Sequence, residues 1–291
     1  MDSIFKQIKH YLSLIKFSHT IFAMPFAMIG FALGVRENHA GVQFKLLLLV
    51  VLCMVFARSA AMAFNRFIDR KFDAANPRTN AREIPAGVIA PRHALSFVIL
   101  NCLLFVFCAR QINSICFYLS PIALAVVLGY SYTKRFTALC HLILGLGLSL
   151  APIGAYLAVT GIFHLLPILF SITVLTWVGG FDIIYALQDE QFDKSQSLFS
   201  IPTWLGVKKS LAFSSVLHFV TLLVLVMGGI YGGFGLIYWI GFVLFGSLLI
   251  YQHRIVKPDD LSKVNIAFAT TNGIASIVFA SFTLIDIFIG T

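Results

Sequence analysis

The sequence predicts an all-α, polytopic membrane protein with about nine transmembrane helices in one domain covering 1–291. Two observations support this class. Of the 291 residues, 59% are hydrophobic and only 11% are charged, and the mean hydropathy is +0.92, whereas a soluble domain carries about 25% charged residues. Apolar runs of roughly 20 residues, enough to cross about 30 Å of hydrocarbon, recur along the whole chain. The short polar breaks between them leave no room for a separate soluble domain.

The predicted spans are, in order, about 12–34, 44–66, 93–111, 115–133, 138–160, 163–187, 209–231, 234–252 and 264–289. The first run is longer than the apolar core of a signal peptide and lacks a small-residue cleavage site, so we expect a retained first span. The five cysteines form no C-x-x-C pair and lie in or beside apolar runs, which is typical of small hydrophobic residues. The eight histidines are scattered without metal-ligand spacing, so we interpret them as packing or interfacial residues.

The basic residues indicate the orientation of these spans. With the N-terminus in the cytoplasm, most of the 21 basic residues fall on the cytoplasmic side, and only Arg36, Lys45 and Arg110 fall on the other. This is a positive-inside pattern. The net charge of +9 therefore reflects topology and contact with membrane lipids. We expect no nucleic acid partner, because no basic stripe or stacking platform accompanies the charge.

Two short acidic motifs share one spacing. The first acidic motif is Asn65, Asp69 and Asp73, and the second is Tyr185, Asp189 and Asp193. A spacing of four places successive side chains near one face of a helix. Carboxylates held about 5 Å apart repel by roughly 3 kcal/mol per pair at an effective dielectric of about 20, unless a cation lies between them. The pattern therefore predicts a divalent metal site that grips a diphosphate.

Magnesium suits such a site, because it takes oxygen ligands and prefers to share them with substrate phosphates. In the first motif, Asp69 and Asp73 supply two oxygens, and Asn65 adds a carbonyl or orients a water. The neighbouring Arg66, Arg70 and Lys71 could meet diphosphate oxygens. The alternative is a solvated loop of mixed charge at the membrane surface. The second motif, at the same predicted membrane face, favours the metal.

Two ionisable residues are predicted to lie inside the bilayer. Arg58 precedes Asn65 by two helical turns, and Asp182 precedes Asp189 by two turns. An ionised side chain at such depth costs at least about 2.5 kcal/mol by insertion scales, so each is expected to face a partner or a polar cavity. Arg58 pairs either with Asp182 or with a carboxylate on a substrate, and we favour the substrate. A buried hydrogen-bonding role is the alternative for Asp182.

Two further basic residues, Lys134 and Arg135, end the fourth span on the same predicted side. They would complete a phosphate clamp, although anchoring to the cytoplasmic membrane surface explains them almost as well. The two acidic motifs close the second and sixth spans, an offset of four spans. This favours two four-helix repeats (about 12–133 and 138–252) plus a ninth helix, with both motifs facing one cavity. Coincidence between two polar loops is the alternative.

Together, these motifs and their order resemble those of a known family, the UbiA superfamily of intramembrane aromatic prenyltransferases. The resemblance covers nearly the whole chain. The matching segments are NRFIDRKFD (65–73), REIPAG (82–87), YSYTKR (130–135) and FDIIYALQDEQFDKSQSLFSIP (181–202). The resemblance implies nine transmembrane helices around a central cavity. It also implies magnesium, two ions, bridging aspartates to an isoprenyl diphosphate.

The resemblance assigns roles residue by residue. The implied metal ligands are Asn65, Asp69, Asp73, Asp189 and Asp193, and the four aspartates among them are the implied catalytic residues. Arg66, Lys71, Lys134 and Arg135 are implied to bind the diphosphate. The position of Arg58 is implied to meet the carboxylate of an aromatic acceptor, and Asp182 is implied to orient the acceptor hydroxyl.

The implied reaction is transfer of a polyprenyl group from polyprenyl diphosphate to an aromatic acid, 4-hydroxybenzoate or a dihydroxynaphthoate. It would serve ubiquinone or menaquinone synthesis at the cytoplasmic face of a bacterial inner membrane. The stretches at 16–27 and 181–193 resemble the 4-hydroxybenzoate polyprenyltransferase-like group. One departure is Ser197, where relatives often carry glycine. The alternatives are a related enzyme acting on haem, chlorophyllide or glycerol phosphate, and, from another class, a cation transporter.

Overall fold

The computed structural model describes residues 9–15, 22–39 and 41–289, and their regular structure is helical. The helices, in chain order, are α1 Met24–Glu37, α2 Phe44–Ile68, α3 Arg70–Ala75, α4 Pro91–Ile112, α5 Ser114–Thr133, α6 Cys140–Thr160, α7 Leu165–Ala186, α8 Glu190–Ser195, α9 Ile201–Tyr231, α10 Leu236–Ile255 and α11 Asn272–Ile289. A 3-10 turn, Leu187–Asp189, joins α7 to α8, and a π-helical turn, Ile266–Thr271, precedes α11.

Eight helical segments within the described residues are long and apolar enough to cross a membrane. They coincide with the last eight predicted spans, so the predicted polytopic, all-α class is confirmed. The first predicted span, 12–34, lies partly outside the described residues. Its described parts are helical residues 9–14 and α1. The chain is an integral membrane protein.

One predicted boundary is wrong. The seventh predicted span begins at 209, whereas α9 begins at Ile201. Ser200 caps this helix through a reciprocal pair of hydrogen bonds with Thr203, and Pro202 occupies the first turn, where a missing N–H costs nothing. Gly206 then adopts φ 73° and kinks the helix. The segment Ser200–Pro202, which the hydropathy pattern left outside the span, is therefore a helix start.

The chain divides into two compact units. The first contains Leu49–Tyr132 and the described part of residues 1–20. It holds most of α2 together with α3, α4 and α5, and therefore the first acidic motif. Its small apolar core combines alanines of α2 and α4 with branched aliphatic side chains. The buried members are Leu14, Ile15, Ala60, Ala63, Ile84, Ile89, Ala94 and Val98.

The second unit contains Ile21–Leu48 and Thr133–Thr291, and it holds the second acidic motif. Its core is aromatic. Trp177, which is fully buried, packs against Phe26, Phe181 and Phe245. The indole Nε1 donates a hydrogen bond to Asn272 Oδ1 at 3.0 Å, which satisfies the one polar atom of the ring.

Close helix contacts in the second unit depend on glycine. A Cβ on Gly30 of α1 would lie 2.0 Å from the carbonyl oxygen of Pro152 in α6, and one on Gly145 of α6 would lie 2.4 Å from the carbonyl oxygen of Leu175 in α7. Small residues let membrane helices approach backbone to backbone, where dispersion forces replace the missing hydrophobic driving force. The helix α6 is therefore held closely against both α1 and α7, at positions two turns apart.

A buried carboxylate organises the start of α10. Asp286 of α11 is 4% exposed. Its Oδ2 accepts a hydrogen bond from the Gly235 backbone N–H at 2.8 Å, and its Oδ1 accepts one from the Tyr238 N–H at 3.2 Å. The first N–H groups of a helix have no partner within the helix. Asp286 satisfies two of them and places a negative charge at the positive end of the helix dipole.

Candidate active site

The first acidic motif lies across a break between two helices. The long helix α2 ends at Ile68, and Asp69, with φ −89° and ψ 5°, precedes the six-residue α3. The Asp73 N–H still donates to the Asp69 carbonyl oxygen at 2.8 Å, so the two carboxylates lie one turn apart as predicted. Asn65 Nδ2 donates a hydrogen bond to Asp69 Oδ2 at 3.1 Å. Asn65, predicted as a ligand, therefore also orients the aspartate one turn below it.

Asp73 is buried and forms an ion pair with a residue to which the sequence analysis assigned no role. Arg82 Nη1 lies 2.6 Å from Asp73 Oδ1, whereas Asp73 Oδ2 is buried without a hydrogen-bond partner in the described residues. Thr79 Oγ1 donates to the Asp73 carbonyl oxygen at 3.1 Å, which ties the loop back onto α3. The only sequence signal for Arg82 was its place at the start of the REIPAG segment, because a pairing across nine loop residues has no periodicity.

The second acidic motif has the same local form. The helix α7 ends at Ala186, the 3-10 turn follows, and Asp189, with φ −106° and ψ 3°, precedes the six-residue α8. Asp193 lies at the fourth position of α8, as Asp73 does in α3, and is fully buried. The predicted run of α-helical turns from Asp182 through Asp189 to Asp193 is wrong at this point, because the 3-10 segment Leu187–Asp189 interrupts the α-helical rotation.

Asp193 is paired with Lys134. The Lys134 Nζ atom lies 2.8 Å from Asp193 Oδ1. The two charges are in contact, but neither carboxylate oxygen of Asp193 receives a well-directed hydrogen bond from any described residue. Burial lowers the pKa of the Lys134 amine, but the attraction of Asp193 outweighs it and holds that pKa above its ordinary value. Lys134 is therefore charged at neutral pH.

The loop after α8 is hydrogen-bonded to the backbones of both Lys134 and Asp193 and so holds the two residues beside each other. The Leu198 N–H donates to the Asp193 carbonyl oxygen at 2.9 Å, and the Phe199 N–H donates to the Lys134 carbonyl oxygen at 2.8 Å. Directly before these two donors, Ser197 has φ 54°, in the left-handed region. Glycine is the residue that adopts this conformation without a steric cost. The turn explains why a glycine would suit the position that Ser197 occupies.

Asp182 has a partner that the sequence did not identify. His141, the second residue of α6, places Nδ1 2.7 Å from Asp182 Oδ2. The imidazole is almost fully buried, with 4% of the side chain exposed, whereas the Asp182 side chain is 20% exposed. The interpretation of the histidines as packing residues missed this pair, because the 41 residues between the two positions carry no pattern that links them.

The remaining predicted residues occupy different environments. Arg58 lies in α2, its Nε is buried without a hydrogen-bond acceptor, and no described carboxylate forms an ion pair with it. Arg66 is buried in the same helix, within electrostatic reach of Asp73 and Arg82. Lys71 is exposed and Arg135 is half-buried. Structure therefore groups Arg66 with the first motif and Lys134 with the second.

The residues fit magnesium, although they do not build a cage for it. Among residues 9–15, 22–39 and 41–289, no three His, Cys, Asp or Glu side chains are arranged to hold a metal ion. Each motif instead offers two aspartates one turn apart, and the second aspartate of each, Asp73 or Asp193, has a buried carboxylate oxygen that lacks a directed hydrogen bond from the described residues. Such oxygens are ready acceptors, and Mg²⁺ commonly takes one or two protein carboxylates together with substrate phosphates and water.

The membrane-spanning helices and the paired aspartate motifs define an intramembrane transferase. The chain belongs to the UbiA prenyltransferase family, because residues 23–280 match the model of that family. It is thus a prenyltransferase, as the resemblance implied.

Curated relatives cover most of the chain. A protein named 4-hydroxybenzoate octaprenyltransferase from Tolumonas auensis is 30% identical over 246 residues, which are 84% of this chain and 86% of the relative. One of the same name from Francisella tularensis subsp. mediasiatica is 26% identical over 277 residues, 94% of this chain and 96% of the relative.

Solved structures have the same fold. The apo structure of a UbiA homologue from Aeropyrum pernix K1 superposes with a TM-score of 0.83 at 31% identity, covering 92% of this chain and 98% of that one. A UbiA homologue from Archaeoglobus fulgidus, bound to DMAPP and Mg²⁺, has a TM-score of 0.74 at 21% identity and covers 96% of this chain and 99% of that one. At that lower identity the likeness concerns the fold.

Proposed function

We propose that this prenyltransferase moves a polyprenyl group from a polyprenyl diphosphate to an aromatic carboxylic acid, with two Mg²⁺ ions at the acidic motifs. The curated relatives named for 4-hydroxybenzoate support that acid as the first acceptor to test, and a dihydroxynaphthoate is the second. The Archaeoglobus homologue bound to a prenyl diphosphate and Mg²⁺ supports the donor and the ion.

The observation that carries the proposal is the repeated form of the two motifs. Each has an aspartate at a helix break, a buried aspartate one turn later, and a cation on that buried aspartate. A buried oxygen without a hydrogen-bond partner costs about 1–3 kcal/mol, and a bound cation would offset this. Asp69 and Asp73 would hold one ion, with Asn65 orienting Asp69. Asp189 and Asp193 would hold the other.

Bound Mg²⁺ would neutralise the charge that develops on the departing diphosphate. Arg66, Lys71, Lys134 and Arg135 supply hydrogen-bond donors and positive charge for the diphosphate oxygens. The allylic carbon–oxygen bond breaks and its electron pair leaves with the diphosphate. A ring carbon beside the acceptor hydroxyl then forms the new carbon–carbon bond, and the ring loses a proton. Helices that exclude water protect the cationic carbon from hydrolysis.

Arg58 is the proposed contact for the acceptor carboxylate. Its guanidinium lies within a membrane-spanning helix, and no described acidic side chain forms an ion pair with it. A charged group at this depth requires an anionic or polar partner, and a planar guanidinium binds a carboxylate bidentately. Asp182 would accept a hydrogen bond from the acceptor hydroxyl, which increases electron density on the ring.

We also propose that the protein lies in a bacterial inner membrane, with its N-terminus and both acidic motifs at the cytoplasmic face. The support is the uneven distribution of basic residues. Labelling single cysteines introduced beside each acidic motif in sealed right-side-out vesicles tests this orientation. Labelling by an impermeant reagent added outside the vesicles would contradict it.

The test of function uses purified protein in detergent with Mg²⁺, octaprenyl diphosphate and either 4-hydroxybenzoate or 1,4-dihydroxy-2-naphthoate, with products identified by mass. We expect a prenylated ring that keeps its carboxylate. Asp69→Ala and Asp189→Ala should each lower turnover by at least about 100-fold. Asp259→Ala, at an exposed loop aspartate, is the matched control.

Wild-type turnover in either motif variant would contradict the metal assignment. Prenylation of the naphthoate alone would contradict the first choice of acceptor. Absence of any prenylated aromatic acid, with intact folded protein, would overturn the proposed function.

A further inference from the structure

We propose that His141 is a positioning residue for the aromatic acceptor: it holds one oxygen of Asp182 so that the other oxygen is presented to the acceptor hydroxyl. This inference rests on the proposed function. It begins from the 2.7 Å contact between His141 Nδ1 and Asp182 Oδ2, which joins the start of α6 to α7. Both residues belong to the second unit.

The atoms of this pair have defined roles. An ionised carboxylate only accepts hydrogen bonds, so His141 Nδ1–H is the donor and the proton resides on Nδ1. His141 Nε2 is buried and has no hydrogen-bond partner in the described part of the chain. The imidazole therefore directs its hydrogen bond at Asp182. A histidine in this arrangement fixes the rotation of the carboxylate, as a carboxylate fixes a ligand histidine in metal sites.

The exposure of the two partners is unequal, and this indicates which one meets the substrate. The His141 side chain is 4% exposed and the Asp182 side chain 20%. Asp182 Oδ1 forms no hydrogen bond with any described residue, although it is not among the fully buried atoms that lack partners. Asp182 thus has one oxygen held and one oxygen open. A hydroxylated aromatic ring is the ligand class that this open oxygen suits, because a phenol donates one hydrogen bond.

A purely structural tie between α6 and α7 is the simpler interpretation. The two helices already meet backbone to backbone at Gly145 and Leu175, one turn further along α6. A polar tie adds little to such a contact, and a tie made only for packing would be expected to bury both partners. The open oxygen of Asp182 therefore favours a role in binding.

The chain also connects His141 to the diphosphate-binding residues. Cys140 Sγ lies 3.7 Å from the Phe199 carbonyl oxygen, and the Phe199 N–H donates to the Lys134 carbonyl oxygen at 2.8 Å. Lys134 in turn contacts Asp193. The segment 134–141 thus carries a diphosphate contact at one end and the acceptor-positioning imidazole at the other. Its backbone sets the two substrates at a fixed spacing.

Two amide substitutions separate the functions of the imidazole nitrogens. In His141→Asn the amide N–H₂ lies near the place of Nδ1 and keeps a donor for Asp182, whereas in His141→Gln it lies near the place of Nε2. We expect His141→Gln to raise the KM for the aromatic acid at least about tenfold, because a hydrogen bond to a charged group is lost. His141→Asn should stay within about threefold, and the KM for octaprenyl diphosphate should change by less than about twofold in both.

His218→Asn is the matched control, because His218 is a second buried histidine packed on α7. Its Nε2 atom contacts the Trp177 carbonyl oxygen at 3.2 Å, and its ring forms no hydrogen bond with Asp182. It should leave the acceptor KM within about twofold. Equal effects of His141→Gln and His141→Asn, or equal shifts in the KM of both substrates, would overturn the positioning role. An acceptor effect of His218→Asn as large as that of His141→Gln would overturn it too.

The wild-type reaction distinguishes failure of the proposed function from failure of the proposed role of His141. If the wild-type protein prenylates no aromatic acid, the proposed function fails and takes this inference with it. If the wild-type protein forms product while His141→Gln leaves the acceptor KM unchanged, only the role of His141 fails.

Discussion

Removing the charge of the Lys134 side chain should destabilise the protein, because the buried carboxylate of Asp193 then has no cation beside it. The Asp193 side chain is 1% exposed, and the Lys134 side chain is 33% exposed. Breaking a fully buried ion pair from one side costs about 3–5 kcal/mol. Because water reaches a third of Lys134 and screens the pair, we expect about 2 kcal/mol for Lys134→Met.

The measurement is the free energy of unfolding in detergent micelles, without substrates or Mg²⁺. Lys194→Met is the matched control, since Lys194 forms an exposed pair with Glu190 at 2.7 Å, and such pairs contribute less than about 0.5 kcal/mol. The double variant Lys134→Met with Asp193→Asn should be more stable than the sum of the single effects by about 1 kcal/mol or more. Additive effects, or equal losses for Lys134→Met and Lys194→Met, would refute the reasoning.

The pH dependence of this effect has a definite sign. The folded state holds the pKa of Lys134 above its ordinary value of 10.5. The pair therefore contributes its full stability below that value and loses it as the pH rises through the folded-state pKa. Lys134 keeps its charge from about pH 6 to about pH 9, and the carboxylate left unpaired in Lys134→Met can only lose protons over that range, so the destabilisation should not decrease as the pH rises. A loss that falls steadily over that range would show that another group is responsible.

Three further predictions concern backbone strain, a helix start and the acceptor. Ser197→Gly should raise the free energy of unfolding by about 1 kcal/mol, because glycine adopts the left-handed backbone conformation of this position without strain. Ser197→Ala should bring no such gain, and equal gains from both substitutions would exclude backbone strain as the cause. Asp286→Leu should lower stability by about 2–3 kcal/mol, since two N–H groups of α10 lose a charged acceptor; Asp259→Leu serves as an exposed control in the same melting assay. Arg58→Ala should weaken binding of the aromatic acid by at least about tenfold without changing the KM for the diphosphate, and unchanged affinity for the acid would remove Arg58 from the acceptor site.

The apolar runs predicted the spans because a transmembrane helix requires about 20 consecutive apolar residues, which is a local property of the sequence. Eight of the nine predicted runs match described helices to within a few residues, apart from the early start of α9 at Ile201. That start depends on one capping interaction at Ser200 and a glycine kink, and neither interrupts the hydropathy. Hydropathy therefore predicts where a helix crosses the membrane better than where it begins.

The candidate site was predictable only where its members are close in sequence. Asp69 with Asp73, and Asp189 with Asp193, were found from their spacing. The partners Arg82 and His141 were missed, because their contacts arise from a folded loop and from the packing of two helices. The helix breaks before α3 and α8 were also missed, since a residue with ψ near zero has no side-chain signature.

The similar breaks support a view of how the chain is organised. We propose that the regions of about 12–133 and 138–252 are two copies of one four-helix unit, followed by a ninth helix. Each copy would contribute a long helix, a break at an aspartate and a six-residue helix with a buried aspartate. A search for residual sequence similarity between the two regions across many relatives tests this. No similarity beyond the acidic motifs would contradict it.

The glycine contacts of α6 limit how the second unit can move. At Gly30 and at Gly145 the neighbouring backbones leave no gap for even one methyl group. A helix in backbone contact with neighbours at two heights can neither slide nor rotate against them without collision, so α1, α6 and α7 are expected to move as one body. Admission of a lipid-sized donor and release of its product would then require other helices to move against this body, which carries His141 at the start of α6.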